Sequence, residues 1–178
     1  MDKERKLIIA GNWKMNKTVS ESIDLANGLV RELNDIKEVD IAICPPFTAL
    51  SEVSKSIIDS NIRLGAQNMS QNNYGAHTGE IAAGMLKEFS TKYVILGHSE
   101  RREYQRESNE LIAAKSKTAH EAGLMPVLAA GVHHAHWVQD QAAACTVAVR
   151  RAPPLRRAVP RLTACLPATA ALAPHVID

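Results

Sequence analysis

An asparagine and a lysine separated by one residue, in Gly11-Asn12-Trp13-Lys14-Met15-Asn16, follow directly on a short apolar run. At the exit of a buried strand such a pair suits a small anionic substrate, with the ammonium as point charge and the amide as orienting group. A solvated turn with an ordinary surface lysine is the competing reading of these residues taken alone. A second polar segment, Gly97-His98-Ser99-Glu100-Arg101-Arg102, follows another apolar run. Its pattern predicts a helix opening behind Ser99 as cap, with His98 just past the strand. The positive end of a helix disfavours imidazolium, so a neutral ring there can donate a hydrogen bond to a carbonyl. A structurally satisfied histidine is the alternative, and Glu100 with Arg102 reads as a structural ion pair. Between these segments, Gln67-Asn68-Met69-Ser70 and Gly75-Ala76-His77-Thr78-Gly79-Glu80 form a long polar loop, either a protruding contact or a merely mobile one.

The elements that must position these residues recur. Apolar, β-rich runs stand at Leu7-Ile8-Ile9-Ala10, Ile41-Ala42-Ile43-Cys44, Ile62-Arg63-Leu64-Gly65-Ala66, Tyr93-Val94-Ile95-Leu96 and Pro126-Val127-Leu128-Ala129. They begin about 20 to 35 residues apart, the length of a strand–helix unit. Between the first two, Val19, Ile23, Ala26, Val30 and Leu33 repeat at helical spacing, behind a capping box formed by Thr18 and Glu21. Leu50, Val53, Ile57 and Ile58 predict a second helix. Leu111, Ile112, Ala119 and Ala122 predict another, stopped by Gly123 and Pro126. Alternating β and α units argue for a parallel sheet covered by helices, with its chemistry at the carboxyl ends of the strands. Both polar segments fall there.

Taken together, the segments resemble one family. Ala10-Gly11-Asn12-Trp13-Lys14-Met15-Asn16, Cys44-Pro45-Pro46-Phe47, Gly65-Ala66-Gln67-Asn68, Gly75-Ala76-His77-Thr78-Gly79-Glu80 and Leu96-Gly97-His98-Ser99-Glu100-Arg101-Arg102 closely resemble triosephosphate isomerase, in order and at the family's spacing. The resemblance runs from about Lys6 to Gly131 and covers the first half of that fold. It implies an α/β (β/α)8 barrel, here incomplete, with five strands and four helices placed. It further implies that Asn12 and Lys14 bind substrate, Lys14 near the reacting oxygens, and that His98 is the electrophile polarising the carbonyl. A neutral histidine of lowered pKa is a known feature of this same family. Glu100 matches the family's second active-site carboxylate, and Thr78 matches the residue that enters the neighbouring subunit of a homodimer. The implied reaction interconverts dihydroxyacetone phosphate and glyceraldehyde 3-phosphate through an enediol(ate), in glycolysis and gluconeogenesis. It uses no metal and no organic cofactor.

The likeness stops where the composition changes. Residues 131–178 contain no lysine and no glutamate, but twelve alanines, five arginines and five prolines. The fifth strand lacks the family's Gly-Glu ending, and no segment resembles the one carrying the family's general-base glutamate and closing lid. The only acids beyond the break are Asp140 and Asp178. Residues 1–130 therefore read as a partial barrel, and residues 131–178 as an Ala/Arg/Pro-rich tail of different origin, expected from out-of-frame GC-rich DNA to have little regular structure. In that tail, His133-His134-Ala135-His136 and the run Arg150-Arg151-Ala152-Pro153-Pro154-Leu155-Arg156-Arg157 read better as solvated stretches than as metal or nucleic-acid sites.

Composition bounds what remains. The chain has 178 residues, 46% hydrophobic and 22% charged, with a formal net charge of +2. That is a globular composition with no overall field favouring nucleic acid. No apolar run reaches the roughly 18 residues of a membrane span, and the charged start Met1-Asp2-Lys3-Glu4-Arg5 is unlike a secretory signal. The three cysteines, Cys44, Cys145 and Cys165, have no metal-like spacing. The expectation is a cytoplasmic protein acting on triose phosphate, without nucleic-acid or membrane partners.

Overall fold

The apolar runs pair side by side in a computed structural model that describes residues 7–129 and 146–149. Strands β1 (Ile8–Asn12), β2 (Asp40–Cys44), β3 (Ile62–Ala66), β4 (Tyr93–Leu96) and β5 (Met125–Leu128) are parallel, each beside its predecessor. A sixth strand, β6 (Thr146–Val149), runs antiparallel along β1, pairing Ile9 with Val149 and Asn12 with Thr146. The sheet order is β5-β4-β3-β2-β1-β6, so β5 does not return to β1. Five successive parallel strands with helices between them make an incomplete (β/α)8 barrel. β6 is a strand within the tail for which little regular structure is expected; the rest of that tail lies outside the described residues.

Five α-helices stand among the described residues rather than the four expected: α1 (Val19–Leu33), α2 (Leu50–Ser56), α3 (Ala83–Lys87), α4 (Ser99–Tyr104) and α5 (Asn109–Glu121). The short α3 spans too few residues to show an apolar period. The capping box of α1 forms as its spacing predicts, Thr18 N–H donating to Glu21 Oε2 at 2.8 Å and Glu21 N–H to Thr18 Oγ1 at 3.4 Å. The stripe that α1 buries differs from the expected one in its first turn. Ala26 and Leu33 of that stripe are buried and Val30 packs against the core, but Ser22 joins them while Val19 is 38% exposed. Ile58 is likewise exposed, because α2 ends at Ser56 and only Leu50, Val53 and Ile57 reach the core. α5 ends in a Schellman turn, with Gly123 at φ +77°, Leu124 N–H bonding Ala119 O and Gly123 N–H bonding His120 O.

Two layers of side chains hold the sheet. Its outer face packs Ile41, Ile43, Ile62, Leu64, Val94 and Leu96 against the helices. The inner face carries Ala10, Ala42 and Tyr93, backed by Ile8 and Val127. Burial and the nearby Asp40 carboxylate push the Tyr93 phenol up to about 12, and its hydroxyl donates to Asp40 Oδ2 at 3.1 Å. Gly65 permits the close approach of β2 and β3, since a Cβ there would lie 2.5 Å from Cys44 Sγ.

Candidate active site

The carboxyl ends of β1, β3 and β4 converge on one constellation. β1 delivers Asn12, 7% exposed, and Trp13 pins the following turn by donating its N–H to Cys44 O at 3.1 Å. The next residue, Lys14, has φ +53°, a left-handed backbone that a side chain with a Cβ adopts only at a cost. Three side-chain bonds hold this turn. Lys14 N–H donates to Asn12 Oδ1 at 3.0 Å, Asn16 Nδ2 donates to Trp13 O at 3.0 Å, and Gln67 Nε2 donates to Lys14 O at 2.8 Å. The same Gln67 amide also donates to Cys44 O at 2.9 Å, so one residue after β3 ties the exits of β1 and β2 together. Strain held by surrounding structure is characteristic of functional turns.

Lys14 Nζ reaches Glu100 Oε1 at 2.6 Å, both side chains being partly exposed. Glu100 therefore pairs with Lys14 and not with Arg102, which corrects the ion pair expected from sequence. Arg102 lies beside Glu100's neighbours but turns away, donating to Gly97 O at 2.8 Å and to Asn109 Oδ1 at 2.7 Å. The helical cap is corrected too. His98, not Ser99, is the N-cap of α4, and its Nδ1 accepts from Glu100 N–H at 3.2 Å. Gly97 makes that bend possible at φ +73°, with Ile112 packed so close that a Cβ would lie 2.9 Å from its Cδ1.

The cap fixes the chemistry of the ring. Burial lowers the His98 pKa from its ordinary value, Lys14 adds to the lowering, and Glu100 opposes both. The ring is then neutral near pH 7, and because Nδ1 accepts, its proton sits on Nε2. The Glu100 Oε2 contact at 3.5 Å from Nδ1 is accordingly a close approach to a neutral ring and not an ion pair. The result is a neutral N–H donor, an ammonium, a carboxylate and an oriented amide at one end of the sheet. Such a set can hold an anion and polarise a carbonyl.

Thr78 is not part of this cluster. It lies in the exposed stretch 73–80 of the loop after β3, whose stem closes through Ser70 N–H to Ile81 O at 2.8 Å. No helix among the described residues is long and apolar enough to cross a membrane.

The family model for triosephosphate isomerase matches residues 7–152. The chain belongs to the triosephosphate isomerase family. Triosephosphate isomerase of Alkaliphilus oremlandii is 50% identical over 127 residues, 71% of this chain and 51% of that protein. The enzyme of Alkaliphilus metalliredigens is 51% identical over the same length. The crystal structure of triosephosphate isomerase from Bartonella henselae superposes with a TM-score of 0.66 at 40% identity, covering 70% of this chain and 51% of that one. The chain thus spans about half the length of the relatives it matches.

Sequence reasoning missed Gln67 as the brace of the lysine turn. The available signal was its place directly after Gly65-Ala66, where a polar side chain meets two strand exits. It also missed the buried pair Glu107 and Lys115, although Lys115 follows Ile112 by three residues on the buried face of α5.

Proposed function

We propose that this chain carries the substrate-holding and carbonyl-polarising half of a triosephosphate isomerase site, for the interconversion of dihydroxyacetone phosphate and glyceraldehyde 3-phosphate in the cytoplasm. The observation that supports it best is His98, neutral by burial and capped so that Nε2 carries the proton, beside the Lys14–Glu100 pair. In this reading Nε2–H donates to the substrate carbonyl as charge develops on it. Lys14 draws the anionic substrate to the turn, and Asn12 orients it. Glu100 holds the ammonium in place before substrate arrives. Thr78, on an exposed loop, enters the neighbouring subunit of a homodimer. The family's enediol(ate) chemistry needs neither metal nor organic cofactor from these residues.

A carbon-bound proton must still be removed. Beyond residue 131 the sequence holds only two acids, Asp140 and Asp178, neither among the described residues. A positioned general base contributes roughly 10²- to 10⁴-fold, and a closing lid, for which this family is itself the standard example, excludes water. The chain on its own is therefore proposed to bind triose phosphate and to isomerise it near the background rate. The test is a coupled assay of triose phosphate interconversion by the purified chain, with His98→Ala prepared in parallel to exclude host enzyme. Turnover that is robust and lost in His98→Ala overturns the proposed inactivity; an absence of triose phosphate binding overturns the substrate.

A further inference from the structure

Among the described residues, one buried charge cluster outside the site adjoins it in sequence, Arg101 following Glu100 and Asn68 following Gln67. Lys115, 3% exposed in the middle of α5, donates from Nζ to Glu107 Oε1 at 2.6 Å and to Asn68 Oδ1 at 3.0 Å. Arg101 Nε donates to the same Glu107 oxygen at 2.7 Å. Burial alone would raise the Glu107 carboxyl, but the hydrogen bonds from Lys115 and Arg101 outweigh it and hold it below the usual range. Its other oxygen, Oε2, is buried with no partner among the described residues. Buried ionic groups are weak contributors to net stability, since desolvation offsets much of the attraction. What such a group fixes in space is the better guide to its role.

Both ends of this cluster abut the site. Arg101 directly follows Glu100, whose carboxylate accepts from Lys14 and whose N–H is capped by His98 Nδ1. Arg101 N–H bonds His98 O at 2.9 Å, and Glu107 N–H bonds Arg101 O at 3.2 Å. Asn68 directly follows Gln67, whose amide holds the left-handed Lys14 turn. We propose that Glu107 and Lys115 are positioning residues, a buried strut that locks the His98–Glu100 turn against the Gln67–Lys14 turn. The inference rests on the proposed roles of Lys14 and His98. It adds two residues that touch no substrate and act through Arg101 and Asn68.

The test reads the site without substrate. Glu107→Gln keeps the shape and removes the charge, and Glu107→Asp shortens its reach. The charged groups facing His98 are Glu100 and Lys14. With the strut slack, water reaches the ring, so its NMR titration midpoint moves up toward the ordinary histidine value. The Glu100 amide, released from Nδ1, exchanges hydrogen about tenfold faster or more. Thr118→Val serves as control, because it removes another hydrogen bond of α5, to Gln71 O, without touching the strut. A shift in both Glu107 variants and not in Thr118→Val supports the proposal. Equal shifts in all three, or none in any, overturn it. If neither Glu107 variant folds, Arg101→Lys is read in the same way, and failure of that variant also to fold assigns the cluster to stability alone and overturns the proposal. Isomerisation is scored separately, so a chain that never binds triose phosphate overturns the functional reading while leaving the strut to stand or fall on the His98 signals.

Discussion

Lys14 Nζ donates to Glu100 Oε1 at 2.6 Å across 86 residues of chain, joining the exits of the first and fourth strands. Neither residue belongs to the core, and an exposed pair of this kind adds under about 1 kcal/mol to stability. Its structural significance lies in what each partner also holds. Lys14 sits in a left-handed turn braced by Asn12 and Gln67, and the Glu100 amide defines the protonation pattern of His98. The contact therefore links three groups whose chemistry depends on geometry.

The strain at Lys14 is testable as stability. Glycine adopts φ near +53° without a Cβ clash, so Lys14→Gly is expected to be more stable than Lys14→Ala by about 1 kcal/mol. Both variants lose the ammonium, which cancels the ion pair from the comparison. Urea unfolding at pH 7 measures it, and equal stability of the two variants would show that the turn carries no strain.

A second expectation concerns pH. The folded-state pKa of His98 lies below the unfolded value of about 6.5, so below that value the unfolded chain binds more protons than the folded one. Its contribution is fully present above the unfolded pKa and is lost as pH falls toward the folded one. Stability is thus expected to drop between pH 7 and pH 5. His98→Asn keeps a capping side chain, removes the titrating ring and should flatten that part of the slope. An unchanged slope by urea titration at pH 5, 6, 7 and 8 would place the dependence on other groups.

Most of the fold was legible because the strands leave dense apolar runs, those of β2 and β4 buried almost throughout, and the runs from Leu7 to Leu128 pair in sequence order. The capping box at Thr18 and the stop at Gly123 were legible because each depends on local chemistry. Much of what escaped depends on contacts distant in sequence. The partner of Glu100 is 86 residues away, so proximity in sequence pointed wrongly to Arg102. The cap of α4 shifted from Ser99 to His98 because the left-handed Gly97 turns the chain one residue earlier. Thr146–Val149 has three β-branched residues in four, a strand signal too short to stand out from its Ala/Arg/Pro-rich surroundings, and it pairs antiparallel with β1.

The contact of Gly65 with Cys44 yields a coupled pair. Gly65→Ala forces a Cβ to within 2.5 Å of a buried sulfur and is expected to cost about 1–3 kcal/mol. Cys44→Ala removes that sulfur, so the double variant should recover part of the loss. A double-mutant cycle by thermal or urea unfolding reads the coupling. Strict additivity would mean that the backbone, not the sulfur, limits the approach of β2 to β3.

The sharpest check on the site is that its two charged partners should move His98 in opposite directions. Burial is the largest cause of its lowered pKa; Lys14 lowers it further and Glu100 raises it. Lys14→Met removes a neighbouring cation, so the ring becomes easier to protonate and its midpoint should rise, while staying below the ordinary value because burial persists. Glu100→Gln removes the neighbouring carboxylate and should lower the midpoint further. The backbone N–H of residue 100 still donates to Nδ1 in both variants, so the neutral tautomer should be unchanged in each. Nitrogen-detected NMR of the ring reads midpoint and tautomer together. Shifts of the same sign in both variants, or a change of tautomer in either, would mean that the lysine and carboxylate act on His98 through rearrangement of the turn and not through their charges.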